Sequence, residues 1–283
     1  MVRNYAGFET GLWYDGETVE GVTDTTAPFL HLAHRTEVKL SDSPNPVVVA
    51  KSGSVDNSGI SKGIENPVAT FTFNPSQASG KDFIKNFASS TTSFTLLMMI
   101  DEASDVIFGR IVGCKVKRIS CSVKIYPQGT ALECSVEVWG MSILYTASAG
   151  VPTFESAPST FVNWSDITLK KGAVTITNWW SCDWSLENDL FRNPDNTGIT
   201  NSITKGRRKV SGSWEQGSNV TSGVGNTELD EAKNATANTF HFLILTDDYS
   251  FTSSVYETVE VTHPITEMTG IKGDFVATSY SVA

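Results

Sequence analysis

Ser-Phe-Thr-Leu-Leu-Met-Met-Ile-Asp-Glu at 93–102 and Thr-Phe-His-Phe-Leu-Ile-Leu-Thr-Asp-Asp at 239–248 align without a gap, 146 positions apart (239 − 93). Both carry Phe at the second place, as Phe94 and Phe240. Both run apolar, through Leu96–Ile100 and Phe242–Leu245, and both end in two carboxylates, Asp101-Glu102 and Asp247-Asp248. A short apolar run closed by acidic turn residues reads as a buried strand that ends at the surface.

The surroundings repeat in the same order. Asp56-Asn57-Ser58-Gly59-Ile60 matches Asp195-Asn196-Thr197-Gly198-Ile199, and Ile60–Gly63 matches Ile203–Gly206. An alternating stretch follows each, Val68–Phe73 and Val210–Trp214, and then a helical piece, Gly80–Ser89 and Thr227–Asn234. Ordered repetition over this length reads as two diverged copies of one unit. The expected layout is an N-terminal arm over 1–35, a first domain over 36–146, a linker over 147–159 and a second domain over 160–283. The linker expectation comes from the Ala-, Ser-, Gly- and Pro-rich run at 147–159.

Composition agrees with strands and turns. The 283 residues are 40% hydrophobic and 18% charged, which marks a globular chain. The formal net charge is −10, the opposite of the basic footprint that grips nucleic acid. Met1–Tyr5 runs into polar residues, so no secretory signal is expected, and no run reaches the length of a membrane span. Cys114, Cys121, Cys134 and Cys182 lack Cys-x-x-Cys spacing. Free buried thiols fit best, with a Cys121–Cys134 bridge across one hairpin as the alternative. The glycosylation triplets at Asn163, Asn219 and Asn234 are read as chance.

That hairpin spans Ile119–Val138 with its turn at Pro127–Thr130. Cys121, Val123 and Ile125 alternate with polar residues, as do Leu132, Cys134, Val136 and Val138. A tight turn there sets Lys124 opposite Glu133. Two long polar segments, Ser41–Gly63 and Asn188–Gly206, occupy equivalent places in the two copies. A loop that long is usually functional, and a purposeless insertion need not occur twice. Asp42, Asn45, Asp56, Asn57, Gly59, Asn188, Asp195, Asn196 and Gly198 are therefore candidate contacts to neighbouring molecules. Trp13 and Tyr14 would anchor the arm to a domain or to another subunit. Arg207, Arg208 and Lys209, in the one basic cluster, are candidates for a salt-bridging subunit interface.

No catalytic or metal-binding residues and no cofactor are predicted. His31 and His34 would face opposite ways on a strand, and His241 and His263 are isolated. Gly80-Lys81 lacks the spacing of a phosphate loop, and neither Gly-x-Ser-x-Gly nor His-Glu-x-x-His occurs. The terminal carboxylate pairs read as solvated turn residues.

The order Val174…Trp180-Ser181-Cys182-Asp183-Trp184-Ser185-Leu186-Glu187-Asn188, a long loop, Gly206-Arg207-Arg208-Lys209-Val210-Ser211-Gly212-Ser213-Trp214, a short helix and closing strands resembles the major tail tube proteins of long-tailed bacteriophages and archaeal tailed viruses. Glu17–Leu40 is similar to that family's N-terminal entry, whereas Ile64–Phe73 lacks its Gly-Ser step. The resemblance implies a mainly β fold: two tandem β-sandwich domains, each with one short helix and a long loop. It implies a virion structural protein, made in the host cytoplasm, whose rings stack into a tube for genome ejection. Two tube domains per chain would let three chains make a pseudo-six-fold ring. Implied partners are further copies of itself, a tape measure protein in the lumen, tail terminator and baseplate or tail-tip proteins, and DNA in passage, with no membrane. A tail-tip hub of the same fold is the nearest alternative. A carbohydrate-binding β-sandwich using Trp13, Trp179, Trp180 or Trp184 is an alternative of another class.

Overall fold

The computed structural model describes residues 11–23, 28–33, 38–42, 47–50, 57–61, 65–102, 105–125, 128–147, 153–195, 199–217, 224–262 and 270–283. The first half forms strands β1 (Leu12–Gly16), β2 (Leu30–Leu32), β3 (Lys39–Ser41), β4 (Val47–Ala50), β5 (Asn57–Ser61) and β6 (Val68–Phe73), then helix α1 (Ser79–Phe87). It continues with β7 (Phe94–Glu102), β8 (Asp105–Lys124), β9 (Glu133–Trp139) and β10 (Ser142–Ala147). The second half forms β11 (Ile167–Lys171), β12 (Val174–Thr175), β13 (Trp179–Pro194), β14 (Thr200–Gly217) and helix α2 (Val224–Lys233). Strands β15 (Asn238–Ile244), β16 (Asp247–Thr262), β17 (Gly270–Ala277) and β18 (Ser279–Val282) complete it.

Strand order is the same in the two halves. The first runs β2-β1-β7-β8-β9-β6-β3 with β10 beside β8; the second runs β12-β11-β15-β16-β17-β14-β13 with β18 beside β16. All these pairings are antiparallel. The first repeated stretch forms β7, the second forms β15, a turn at Leu245-Thr246 and the start of β16, and Phe94, Leu96, Phe240 and Phe242 are buried.

Strands β8 and β16 each serve two sheets. The first part of β8 pairs with β7 and β10, and the second part with β9. β16 pairs first with β15 and β18 and then with β17. The change of sheet falls next to a left-handed residue in each, Gly113 (φ 64) and Ser253 (φ 48), 140 positions apart (253 − 113). Each half thereby folds an outer sheet over an inner one. Aromatic rings fill the space between: Phe83 of α1 meets Phe71, Phe73, Phe94 and Tyr14, and Phe240 stacks on Phe275 at 4.4 Å.

Helix α1 shows how sequence sets packing. Gly80, Phe83, Ile84 and Phe87 recur at helical spacing and are buried. Gly80 lies so near the Pro75 backbone that an added Cβ would come within 2.7 Å of Pro75 Cα. Lys81 and Lys85, one turn apart, reach across to Asp247 of the second half, each at 2.8 Å.

Asp247 is 4% exposed and opens β16, so it is no solvated turn residue. Burial opposes its ionisation, but the hydrogen bonds from Lys81 and Lys85 outweigh that and lower its pKa. A depressed folded-state pKa contributes stability above the ordinary aspartate range, which is lost as pH falls through the folded value.

The halves are joined by β-pairing. β13 pairs with β8 from Ser181↔Lys124 to Glu187↔Arg118, so the two inner sheets become one, in the order β3-β6-β9-β8-β13-β14-β17-β16. Beyond the joint, β13 and β14 run on together as a long hairpin to Pro194 and Thr200. The described residues of the expected long loop at Asn188–Gly206 are therefore mostly paired strand, and within Ser41–Gly63 β4 pairs antiparallel with β5. Leu190 and Ile203 of the β13–β14 hairpin are buried against Met141 and Trp139 of the first half.

Asn188 sits at the joint, fully buried. Its Nδ2 donates to Ala88 O (3.0 Å), Val116 O (2.9 Å) and Ser90 Oγ (3.1 Å). Arg208 Nη2 donates to Ser89 O at 3.0 Å, and its Nε to Asn188 Oδ1 at 3.3 Å. Carbonyls at the end of α1, which the helix itself leaves unpaired, are satisfied by the other half. Arg192 stacks over Trp139 at 4.4 Å and donates to Pro67 O at 2.8 Å. Lys115 bonds both Glu20 (3.0 Å) and Ile203 O (2.6 Å).

Two details of the central hairpin differ from the sequence reading. Glu133 faces Ser122, two residues nearer the start of β8 than expected, and on that side Lys124 O instead accepts from Thr130 N at 2.9 Å. The return strand begins late because Leu132 N bonds Val162 O and Ala131 bridges to Asn163. A two-residue slip keeps every side chain on its own face, so the alternation stands. The register also places Cys121 opposite Cys134, with Cα atoms 4.2 Å apart, and the two form a disulfide in place of free thiols. Cys114 and Cys182 are free and buried.

Replacing Asn188 with Leu leaves the Ala88 and Val116 carbonyls without their buried donor. The expected cost is about 2–3 kcal/mol of unfolding free energy, read from urea denaturation. A loss under about 0.5 kcal/mol would mean that the joint does not depend on this side chain.

Candidate functional site

The joined inner sheet has two unlike faces. One is core, covered by the outer sheets and helices, and carries Phe71, Val136, Ile119, Trp184, Trp214 and Phe275, all buried. The other lies open, and the strand registers place its residues in transverse rows. Thr72, Ser135, Ser120, Ser185 and Ser211 stand opposite one another across β6, β9, β8, β13 and β14, and the row ends in Val276 of β17 and Val255 of β16. On one side of that row run Lys39, Thr70, Glu137, Arg118, Glu187 and Lys209. On the other run Glu133, Ser122, Asp183, Ser213, Asp274 and Thr258. Further out lie Lys124, Ser181, Glu215, Lys272 and Glu260.

Charge on this face is interleaved. Five cations (Lys39, Arg118, Lys124, Lys209, Lys272) stand among seven anions (Glu133, Glu137, Asp183, Glu187, Glu215, Asp274, Glu260), so the rows carry a formal −2. Arg118 lies between Glu137 and Glu187, and Lys209 lies opposite Glu187. Burial, together with nearby Asp274, raises the Asp183 pKa against the hydrogen bond from Ser213 Oγ. A shallow groove of about 540 Å³ lies on the first-half part of the face, lined by Lys39, Thr70, Thr72, Arg118, Ser135 and Glu137. Cross-strand hydroxyls and alternating charge form a polar surface on which no sign of charge dominates.

The sheet also ends in two free edges. Among the described residues, β3 pairs only with β6, and residues 258–262 of β16 pair only with β17. A free edge presents a row of unpaired N–H and C=O groups, a template for another strand.

The sequence-predicted site residues fall into several groups. Asn45, Asp56, Asn196 and Gly198 lie outside the described residues. Asn57 and Gly59 lie in β5, opposite Ala50 and Val49. Asp42 is exposed, and its Oδ1 accepts from Asn66 N at 3.0 Å. Asp195 closes the tip of the β13–β14 hairpin by accepting from Ile199 N at 3.0 Å.

Four of the expected contacts turn inward. Asn188 is the buried joint residue, and Arg208 is half-buried beside it, over the Tyr280 ring. Of the two anchorings expected for Trp13 and Tyr14, the structure shows the one to their own domain: they belong to β1 and are 8% and 2% exposed. Trp13 packs on Phe154 and His31, and Tyr14 on Phe83 and Phe87. Arg207 and Lys209 are exposed. Of the tryptophans considered for sugar stacking, Trp13, Trp179 and Trp184 are buried.

One constellation escaped the sequence reading. His241 Nδ1 lies 3.0 Å from Asp248 Oδ1 and 3.1 Å from Ser250 Oγ. A Ser-His-Asp relay needs serine and carboxylate on different ring nitrogens. Here both contacts fall on Nδ1, so this is a hydrogen-bond cluster between β15 and β16. Among the described residues no group of three or more His, Cys, Asp or Glu is placed to hold a metal ion. Neither a family model nor a curated protein matches the sequence.

The hydroxyl row is surplus to the fold if it serves the open face. Changing Ser120, Ser135 and Ser185 together to Ala should shift unfolding free energy by less than about 1 kcal/mol, since exposed substitutions away from special features are usually near neutral. Thermal melting measures this, and a larger loss would make the row structural.

Proposed function

We propose that this protein is a structural subunit that assembles with copies of itself into closed rings, stacked as a tube that conducts a viral genome. The observation that carries the reading is the inner sheet, built twice from one unit, with a polar open face and two free edges. Joining edge to edge satisfies both edges at once, as closure does in any barrel. Each chain brings eight inner strands, so three chains would close a barrel of 24 (3 × 8).

The electrostatics supports the same reading. A conduit for DNA must not hold its phosphates, because each cationic contact adds a salt-dependent binding term. On the open face every Lys and Arg stands among carboxylates or hydroxyls. Three chains together carry a formal −30 (3 × −10). Tape measure, terminator and tail-tip proteins are the partners this role calls for.

The hairpins take different parts in this arrangement. β13–β14 lies on its own first half, whereas β4–β5, in the equivalent place of the repeat, would reach the neighbouring copy. The tips, with Asp195 on one and Asn57 and Gly59 on the other, are then available to the next ring.

Negative-stain microscopy of the purified chain tests the proposal. Tubes of stacked rings with a stain-filled centre are expected. Isolated rings that never stack would favour a tail-tip hub. Monodisperse single chains that bind glycans would favour a carbohydrate module.

A further inference from the structure

We propose that the free edge of β16 pairs antiparallel with the β3 edge of a second copy of this chain in one register, Glu260 opposite Ser41 and Thr262 opposite Lys39. The inference rests on the ring-forming reading and adds the residues that make the contact.

The chain contains its own template, the joint between β8 and β13. β8 and β16 hold the same place in their halves, and each skips one residue against its partner, at Val116/Arg118 and at Tyr256/Thr258. Arg118 faces Glu137 and Thr258 faces Asp274, so Arg118 corresponds to Thr258, an offset of 140 (258 − 118). Across the ladder, Glu137 faces Thr70 and then Lys39, while Asp274 faces Ser213 and then Asp183. Lys39 therefore corresponds to Asp183, an offset of 144 (183 − 39). Inside the chain Ser120 faces Ser185. Applying the offsets, 120 + 140 and 185 − 144, gives Glu260 facing Ser41.

The chemistry at the pair is compatible. Both positions are exposed and on the open face, so no apolar group is stranded. Glu260 is diagonal to Lys39 of the neighbour, within reach of an opposite charge. The alternation also fits: Leu40 and Val261, both partly buried against the core, would turn to the core side together, as Trp184 and Cys121 do within the chain. A one-residue slip would expose that pair, so the buried face fixes the register to within two residues. The contact is heterologous, β16 to β3, and such contacts generate rings when the rotation closes.

Paired cysteines test it. One variant carries Ser41→Cys with Glu260→Cys; a slipped control carries Lys39→Cys with Glu260→Cys; the parent chain gives the background from native thiols. Assembled protein is mildly oxidised, run on non-reducing gels and viewed by microscopy. A disulfide needs Cβ atoms about 3.8 Å apart, whereas diagonal neighbours stand about 7–8 Å apart. The direct pair should therefore cross-link chain to chain on the order of tenfold more than the slipped pair. Preferential cross-linking of the slipped pair, or none in either while rings are visible, would overturn the register and leave the ring reading standing. Absence of any assembly from the parent chain would remove both.

Discussion

The pairing of β8 with β13 is the constraint on which the rest depends. It turns two inner sheets into one and fixes which face is core and which is open. Asn188, Arg208, Lys115 and Arg192 secure it, each donating to a carbonyl of the other half. These are buried or half-buried polar groups whose loss would leave unpaired carbonyls, so they specify the joint as well as stabilise it. The Lys81–Asp247–Lys85 contact adds an ionic link between the halves at the helix.

A unit that pairs with its own copy inside one chain presents, at the two ends of the resulting sheet, the same two edges that made the joint. Nothing in the described strands covers them. In the proposed assembly, pairing would continue from chain to chain without a new kind of contact, and closure would remove the last free edge. The open face inherits the repeat as rows of hydroxyls and interleaved charge running across the sheet.

Much of this was legible in the sequence. The alternation of Cys121, Val123, Leu132, Cys134, Val136 and Val138 reports a half-buried sheet, and Gly80–Phe87 reports an amphipathic helix. The ordered repeat announces two similar halves, and the strand orders match. What stayed hidden depends on distant partners. Asn188–Gly206 reads as a loop because the stretch is mostly polar, and its buried apolar residues, Leu190 and Ile203, pack on the distant Met141 and Trp139. Asp247 reads as a turn carboxylate because the lysines that bury it lie on a helix in the other half. Trp13 and Tyr14 read as an arm because β1 is short, and their neighbours come from α1, β7 and residues near 154. The Cys121–Cys134 pairing hinges on a two-residue register that the 161–163 segment decides.

In the proposed assembly, the joint inside the chain is repeated between chains. A cryo-electron microscopy reconstruction of the assembled protein, computed without imposed symmetry, tests it most directly. The account predicts three chains per ring, six near-equivalent sectors, and an inner sheet that continues without a break across each chain boundary. Six chains per ring, or an inner sheet interrupted between β16 and the β3 of the next copy, would contradict it.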